Sequence, residues 1–316
     1  MKPLVITHKN CIDGCCAKNI FFTQLLNDAE YLELEHHNLD SEKDPNAEKY
    51  LSTILNKKNT TVYMADFCLE TSLIDSLLEN NNKVVILDHH ETAIKYVEPF
   101  EKRILAGEKI NIHIQFSKDN TKSGSLLTWE YLHPNIEPPM SIKHVSAGDI
   151  WKFNYGEDTK YFYTGIMEKF GEPQNISSEQ WMKLISIPNY HEKYVSIGKP
   201  IREKYMEEVM SFVPKAEKIS ILGKPGLMVE APKKYTSDLG NALAKEQNGE
   251  GFGLVYYQDP NSSIIRCSLR AIAPLTVNDI AQQFNGGGHA QASAFRCSDK
   301  NEFLNIVNPS KRLKIF

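Results

Sequence analysis

The residues best suited to chemistry in this chain follow one short apolar run. Residues 84–87 read Val-Val-Ile-Leu, which is typical of a strand buried on both faces, and Asp88, His89 and His90 come directly after it. Open α/β sheets place their reactive groups at the carboxyl ends of their strands. The triplet therefore indicates a metal site. An Asp after a strand is also a common helix N-cap, so the triplet alone leaves both interpretations open.

The elements that must position this triplet alternate between strand and helix. The sequence predicts strands at residues 4–7, 31–35, 61–65 and 84–87, and helices at about 15–26, 45–55 and 71–79. Strands that alternate with helices form βαβ units, whose strands pair in parallel. Helices are also predicted at 123–132, where Ser123 is the expected N-cap, and over most of 141–187.

The pattern changes after residue 213. Short strands are predicted at 219–222, 226–229, 253–257 and 264–269, and helices near 237–245 and 277–284. We therefore predict an α/β protein of two domains joined by a helical linker. A parallel-sheet domain with helices on both faces occupies residues 1–189, the linker 190–212, and a smaller α/β domain with a mixed sheet 213–316.

Composition and charge limit the functions to consider. The chain has 316 residues, of which 41% are hydrophobic and 24% charged, as in soluble globular proteins. Its formal net charge of −4 argues against binding of long duplexes, which needs many basic contacts to phosphate. The sequence has no apolar run of membrane-spanning length, and the apolar stretch at residues 3–6 is too short for the hydrophobic region of a signal peptide. We therefore expect a cytoplasmic protein that does not bind membranes. Its six cysteines are expected to be reduced thiols.

Other candidate ligands also follow predicted strands. His8 and Asp13 come after the first strand, and Asp66 after the strand at 61–65. Asp149 is a further acid among small and apolar residues. Carboxylates mixed with imidazoles suit Mn²⁺, Fe²⁺, Mg²⁺ or Zn²⁺ rather than Ca²⁺. Two such ions bridged by one carboxylate can generate a hydroxide nucleophile and hold a phosphoryl group.

These residues occur in a familiar order. The motifs are HKNCIDG at 8–14, Ala-Asp-Phe at 65–67, Asp-His-His at 88–90, Gly-Asp-Ile-Trp at 148–151 and Gly-Gly-Gly-His at 286–289. By these motifs nearly the whole chain resembles the DHH phosphoesterase superfamily with a DHH-associated C-terminal domain, and in particular its oligoribonuclease-like (nanoRNase-like) members and related phosphohydrolases.

The resemblance implies a role for each motif residue. It implies a centre of two divalent ions, Mn²⁺ first and Fe²⁺, Mg²⁺ or Co²⁺ as alternatives. Asp66 would bridge the ions, and the remaining ligands would be His8, Asp13, His89 and Asp149. His90 would contact substrate phosphate and Asp88 would orient its neighbours, which makes these two the expected catalytic residues.

Cys11 departs from the family pattern. Many members carry an Asp at this position, two residues before Asp13. Cys11 is therefore either a thiolate ligand, which would favour a softer metal or leave one ion loosely held, or an inert small residue.

In the C-terminal domain the resemblance implies a substrate-binding surface. Gly286, Gly287 and Gly288 would let backbone N–H groups approach a phosphate, with His289 as an added donor. Arg270 resembles the phosphate-contacting Arg of a Ser-Leu-Arg segment.

The expected function is hydrolysis of phosphodiester bonds in short oligonucleotides or small nucleotides, by a hydroxide that two metal ions activate. The two domains would form a cleft that can close, and the resemblance allows for a homodimer. One alternative is a pyrophosphatase or exopolyphosphatase acting on phosphoanhydrides. A second, of a different class, is a non-catalytic nucleotide-binding regulatory module in which Cys11 disables one metal site.

Overall fold

A computed structural model describes residues 1–35, 39 and 45–307. These residues fall into two compact units, which divide between Arg202 and Glu203. The boundary between the units falls inside the long helix Glu192–Met210. Among the described residues no helix is both long and apolar enough to cross a bilayer.

The first unit contains a five-stranded parallel sheet. Its strands are β1 (Leu4–His8), β2 (Glu30–Leu34), β3 (Thr61–Ala65), β4 (Lys83–Asp88) and β5 (Ile112–Phe116). Their order in the sheet is β2-β1-β3-β4-β5. The chain order reverses direction between β1 and β3, and a doubly wound sheet opens a crevice at such a point, outside the carboxyl ends of its strands.

Helices cover both faces of this sheet, as predicted. The helices of the first unit are α1 (Ile12–Leu25), α2 (Ala47–Leu55), α3 (Thr71–Glu79), α4 (Ile94–Leu105), α5 (Gly124–Leu132), α6 (Met140–Asp149), α7 (Glu157–Phe170), α8 (Ser178–Ser186) and α9 (Glu192–Met210), the last of which continues into the second unit. Alternate residues of each buried strand face opposite sides. In β4, Val84 and Ile86 pack with α2, α3 and α4, whereas Val85 and Leu87 pack with α1 and α5.

The second unit contains a six-stranded mixed sheet. Its strands are β6 (Glu217–Ile221), β7 (Lys224–Glu230), β8 (Phe252–Gln258), β9 (Ile265–Arg270), β10 (Gly287–His289) and β11 (Ala292–Cys297), in the order β10-β11-β9-β8-β7-β6. Only β7 and β8 pair in parallel. Its helices are α10 (Thr236–Glu246), α11 (Asn278–Gln283) and α12 (Lys300–Val307). Helix α10 packs on one face, and α11 and α12 on the other.

Candidate metal centre

The strand ends bring most of the candidate ligands together. Strand β1 ends at His8, β3 is followed by Asp66, and β4 ends at Asp88, before His89 and His90. These three strands are neighbours in the sheet. The crevice at their carboxyl ends also receives Asp13 from the first turn of α1 and Asp149, the last residue of α6.

Asp66 lies at the centre of this cluster. Its side chain is 1% exposed, and its Oδ1 atom is 3.3 Å from Nε2 of His89 and 3.8 Å from Nδ1 of His90. Nδ1 of His8 is 3.8 Å from Oδ2. Neither carboxylate oxygen has a hydrogen-bond partner among the described residues. Burial and the neighbouring Asp13 raise the pKa of Asp66 well above its ordinary value. Such a carboxylate is costly unless a cation accompanies it.

The backbone holds Asp66 in an unusual conformation. Its φ angle is +56°, in the left-handed region that non-glycine residues seldom adopt, and its N–H donates to the carbonyl of Leu87 at 2.9 Å. Gly124 packs directly against it, since a Cβ at residue 124 would lie 2.4 Å from Cα of Asp66. Strain of this kind is typical of functional sites.

In the triplet, the Asp88 carboxylate holds the two histidines that follow it. Oδ1 of the buried Asp88 accepts hydrogen bonds from the backbone N–H of His89 at 2.8 Å and of His90 at 3.3 Å, and from Nδ1 of His90 at 2.7 Å. Burial acts to raise the pKa of Asp88, but the hydrogen bond from His90 prevails and lowers it. Burial acts to lower the pKa of His90, but Asp88 raises it to about 9.

His89 lies between two carboxylates. Its Nε2 is 3.3 Å from Oδ1 of Asp66 and 3.1 Å from Oδ2 of Asp149, and its Nδ1 donates to Oδ1 of Asn120 at 3.1 Å. Burial acts to lower the pKa of His89, but Asp149 and Asp66 raise it to about 12. The crevice therefore strongly favours a positive charge at this point, which either an imidazolium or a metal ion bound to a neutral His89 can supply.

Asp13 is fully buried and held by the start of α5. Its Oδ1 accepts from the hydroxyl groups of Ser123 and Ser125, and its Oδ2 from the backbone N–H of Ser125 at 3.1 Å. Burial and the nearby Asp149 raise its pKa. The prediction that Ser123 caps α5 was only half right. Ser123 occupies the N-cap position, but its hydroxyl group donates to Asp13 and makes no cap hydrogen bond.

Three sets of side chains place ligand atoms within 4.8 Å of one another. They are His8 with Cys11 and Asp66; Asp13 with His89 and Asp149; and Asp66 with Asp88, His89 and His90. The first two sets join through the contact between Asp66 and His89. The mixture of carboxylate, imidazole and thiol suits divalent transition metals, and the unpartnered oxygens of Asp66 fit a bridging ligand. The residues therefore fit a pair of divalent cations.

Sequence reasoning missed several residues of this site. Asn120 orients His89, Ser123 and Ser125 hold Asp13, and Gly124 allows α5 to approach Asp66. The only signal was the run of small residues Ser-Gly-Ser at 123–125, which we interpreted as an ordinary helix start.

The second unit brings together another set of predicted residues. Within the 286–289 motif, Gly287–His289 form the short edge strand β10, and Gly286 and Gly288 let this segment lie close to β11. His289 pairs with Ala292, which pairs with Arg270 on the far side, so all three share one face of the sheet. Arg270 is partly buried and donates from Nη2 to the Ser237 hydroxyl at 2.9 Å, while His289 is exposed.

Comparison with known proteins confirms the predicted fold. The phosphodiesterase PggH of Vibrio cholerae, described as pGpG-specific, matches with a TM-score of 0.55 and 12% identity over 99% of this chain and 97% of that one. A DHH domain from a protein described as a member of a family of ribosomal proteins matches with a TM-score of 0.53 and 15% identity over 99% and 87%. The chain thus has the two-domain fold of the DHH superfamily, as its motifs predict.

A viral protein also matches in sequence. Uncharacterised protein R106 of Acanthamoeba polyphaga mimivirus is 27% identical over 256 residues, which cover 76% of this chain and 54% of that protein. The chain therefore spans about half the length of the curated relative it matches. No family model matches the chain.

Proposed function

We propose that this chain is a metal-dependent phosphoesterase that hydrolyses phosphodiester bonds in short oligonucleotides or small nucleotides. The observation that carries the proposal is Asp66, a buried carboxylate at the carboxyl ends of the strands of a DHH fold. Its oxygens accept no hydrogen bond from the described residues, and the imidazoles of His8, His89 and His90 surround it. A pair of divalent ions, with Mn²⁺ as the first candidate, would supply an activated hydroxide and neutralise charge on the phosphoryl group.

The chain's own residues would hold and orient the reacting groups. Asp66 would bridge the ions, and His8, Asp13, His89 and Asp149 would complete their ligand sets. Asp88 fixes Nδ1 of His90 at 2.7 Å and favours the charged imidazolium, so the Nε2–H of His90 is the natural donor to a phosphoryl oxygen.

The second unit offers a separate phosphate-binding surface. Arg270 lies beside the N-terminus of α10, where Ser237 holds it, and His289 shares its face of the sheet. A guanidinium near a helix N-terminus is a favourable environment for an anion. The net charge of −4 supports substrates of a few nucleotides, because a long strand needs a basic channel.

A substrate panel tests this proposal. The protein would be incubated with Mn²⁺ and with the dinucleotide pGpG, cyclic dinucleotides, di- to pentanucleotides of RNA and DNA, or pyrophosphate. We expect mononucleotide release from at least one of the nucleotide substrates and little phosphate release from pyrophosphate. The opposite result would favour the phosphoanhydride alternative.

Matched variants assign the activity to the site. Asp66→Asn should reduce turnover by at least about 100-fold, because it removes the bridging charge. Asp158→Asn changes an exposed carboxylate of α7 and should leave turnover unchanged. Metal binding by the wild type without turnover of any substrate in the panel would favour the regulatory module.

A further inference from the structure

One of the three ligand sets contains a thiol. Sγ of Cys11 lies within 4.8 Å of a ring nitrogen of His8 and a carboxylate oxygen of Asp66. The set that contains Asp13, His89 and Asp149 offers only nitrogen and oxygen atoms. The two halves of the centre therefore differ in chemical softness.

The backbone brings Cys11 close to the carboxyl end of the first strand. Cys11 occupies the N-cap position of α1 without a side-chain cap hydrogen bond, and Asn10 before it has a φ angle of +58°. The first turn of α1 is pressed against β1, since a Cβ at residue 14 would lie only 2.1 Å from the carbonyl oxygen of His8.

The surroundings of Cys11 differ from those of an inert buried cysteine. Cys15, one helical turn later, packs in an apolar cluster with residues such as Ile20 and Trp129. Sγ of Cys11 instead lies within 4.8 Å of a carboxylate oxygen of Asp66, whose side chain is 1% exposed and whose oxygens accept no hydrogen bond from the described residues. A buried carboxylate beside a thiol gains little from it, whereas a cation bound between the two satisfies both.

We infer that Cys11 is a thiolate ligand of one ion of the centre, together with His8 and Asp66, and that this half selects a thiophilic cation such as Zn²⁺, Fe²⁺ or Co²⁺. The other half, with Asp13, His89 and Asp149, then takes the harder ion. This inference rests on the proposed metal centre. On binding, the Sγ–H bond breaks, its proton passes to solvent, and the sulfur electron pair forms the bond to the cation.

Cobalt spectroscopy tests the inference without an activity assay. The full chain is freed of metal, loaded with Co²⁺, and examined for thiolate-to-cobalt charge-transfer absorption in the near ultraviolet and for cobalt d–d bands in the visible. We expect both features in the wild type and in Cys15→Ala. Cys11→Ser should lose the charge-transfer band and keep d–d bands, and circular dichroism checks that each variant is folded.

The outcomes separate this inference from the proposed function. Cobalt d–d bands without a charge-transfer band in the wild type would overturn the thiolate ligand and leave the metal centre standing. A charge-transfer band that persists in Cys11→Ser would also overturn the thiolate ligand and leave the metal centre standing. If the wild type binds no cobalt, the metal centre itself fails, and the thiolate ligand with it.

Metal competition provides a second readout. The wild type and Cys11→Asp are dialysed against equal concentrations of Zn²⁺ and Mn²⁺, and the bound metals are measured. We expect the zinc-to-manganese ratio to fall in Cys11→Asp by at least about tenfold at one of the two ions, because a carboxylate replaces a soft donor. An unchanged ratio would contradict the inference.

Discussion

Single residues in the crevice have separable tasks. Asp88 uses one oxygen to accept from three donors and so fixes His90, whereas neither oxygen of Asp66 accepts a hydrogen bond from the described residues. His89 is fixed by a residue outside every motif, Asn120, whose amide oxygen accepts from Nδ1. This hydrogen bond leaves Nε2 as the ligand atom.

Asn120 should therefore control metal affinity. We expect Asn120→Ala to weaken metal binding by about 10–100-fold, because His89 loses the partner that sets its tautomer and ring orientation. Asn120→Asp keeps an acceptor and tolerates the positive φ, so it should restore most of the affinity. Isothermal titration with Mn²⁺ measures both, and equal affinity of Asn120→Ala and the wild type would contradict the role of this residue.

Asp66 should cost stability when no metal is present. In a chelating buffer at neutral pH, we expect Asp66→Asn to raise the free energy of unfolding of the first unit by about 1–3 kcal/mol. Burial and Asp13 raise the pKa of this carboxyl well above its value in the unfolded chain, which costs stability at neutral pH, and an amide does not carry that cost. Urea unfolding can be followed by tryptophan fluorescence, because Trp129, Trp151 and Trp181 all lie in this unit.

Bound metal should reverse this order of stability between the wild type and Asp66→Asn. The wild type should gain about 2.7 kcal/mol when the free metal is about 100 times its dissociation constant, whereas the variant should gain far less. A variant that is less stable than the wild type in chelator would show that Asp66 supports the fold without metal.

Among the elements, the packing of α6 on α7 contains a buried histidine outside the metal centre. His144 is 2% exposed, and its Nδ1 lies 3.0 Å from the hydroxyl of Thr159. Burial, helped by the nearby His191, lowers the pKa of His144 to about 4 from an ordinary value of 6.5. The fold therefore holds this imidazole neutral.

This histidine predicts a loss of stability in acid. Above pH 6.5 it is neutral in both states and has no effect. As the pH falls from 6.5 towards 4, only the unfolded chain takes up the proton, so the first unit should lose about 1.4 kcal/mol per pH unit from this group. His144→Gln should show a smaller loss in urea unfolding between these pH values, and His289→Gln, at an exposed position, should match the wild type.

Two neighbouring glycines of the 286–289 motif should respond differently to substitution by alanine. A Cβ at residue 286 would lie 2.2 Å from the carbonyl oxygen of Ala294, whereas a Cβ at residue 287 would meet no atom within 4 Å. We expect Gly286→Ala to destabilise the second unit by about 1–3 kcal/mol through overpacking. Gly287→Ala should fold normally and raise the KM for nucleotide, if the backbone there approaches phosphate. Thermal melts and steady-state kinetics separate the two effects.

Local sequence signals explain which elements could be predicted. Strand β3 and helix α3 match their predicted bounds because their apolar residues are strongly periodic. Strand β5 was not predicted, although it is a half-buried edge strand whose sequence, Ile-His-Ile-Gln-Phe, alternates apolar and polar residues as such strands do. Strand β10 was missed because two of its three residues are glycine and carry no hydrophobic pattern.

Contacts distant in the chain explain what the sequence could not predict about the site. Residues at strand ends were recognisable because the βαβ pattern places those ends in one crevice. Ser123 lies 110 positions from Asp13, and Asn120 lies 31 positions from His89. Such pairs depend on how α5 and its preceding loop return to the sheet, which no local pattern encodes.

At the scale of the whole molecule, the groups suited to binding cations and those suited to binding anions lie in different units. The first unit collects the acids and imidazoles of the crevice, and the second places Arg270 and His289 on one face of its sheet. The proposed cation-binding and anion-binding surfaces therefore belong to different compact units.

The position of Asp149 as the last residue of α6 has a kinetic consequence. The carbonyl end of a helix already carries partial negative charge, and this carboxylate adds to it. The amide hydrogens of Ile150 and Lys152, which donate to Ser146 and Ala147, should therefore exchange with solvent deuterium quickly in chelator and slowly with Mg²⁺. The amide of His133, at the end of α5, provides the comparison within the same unit. Ion binding would thus be detected as slower hydrogen exchange, because the last turn of α6 would open less often.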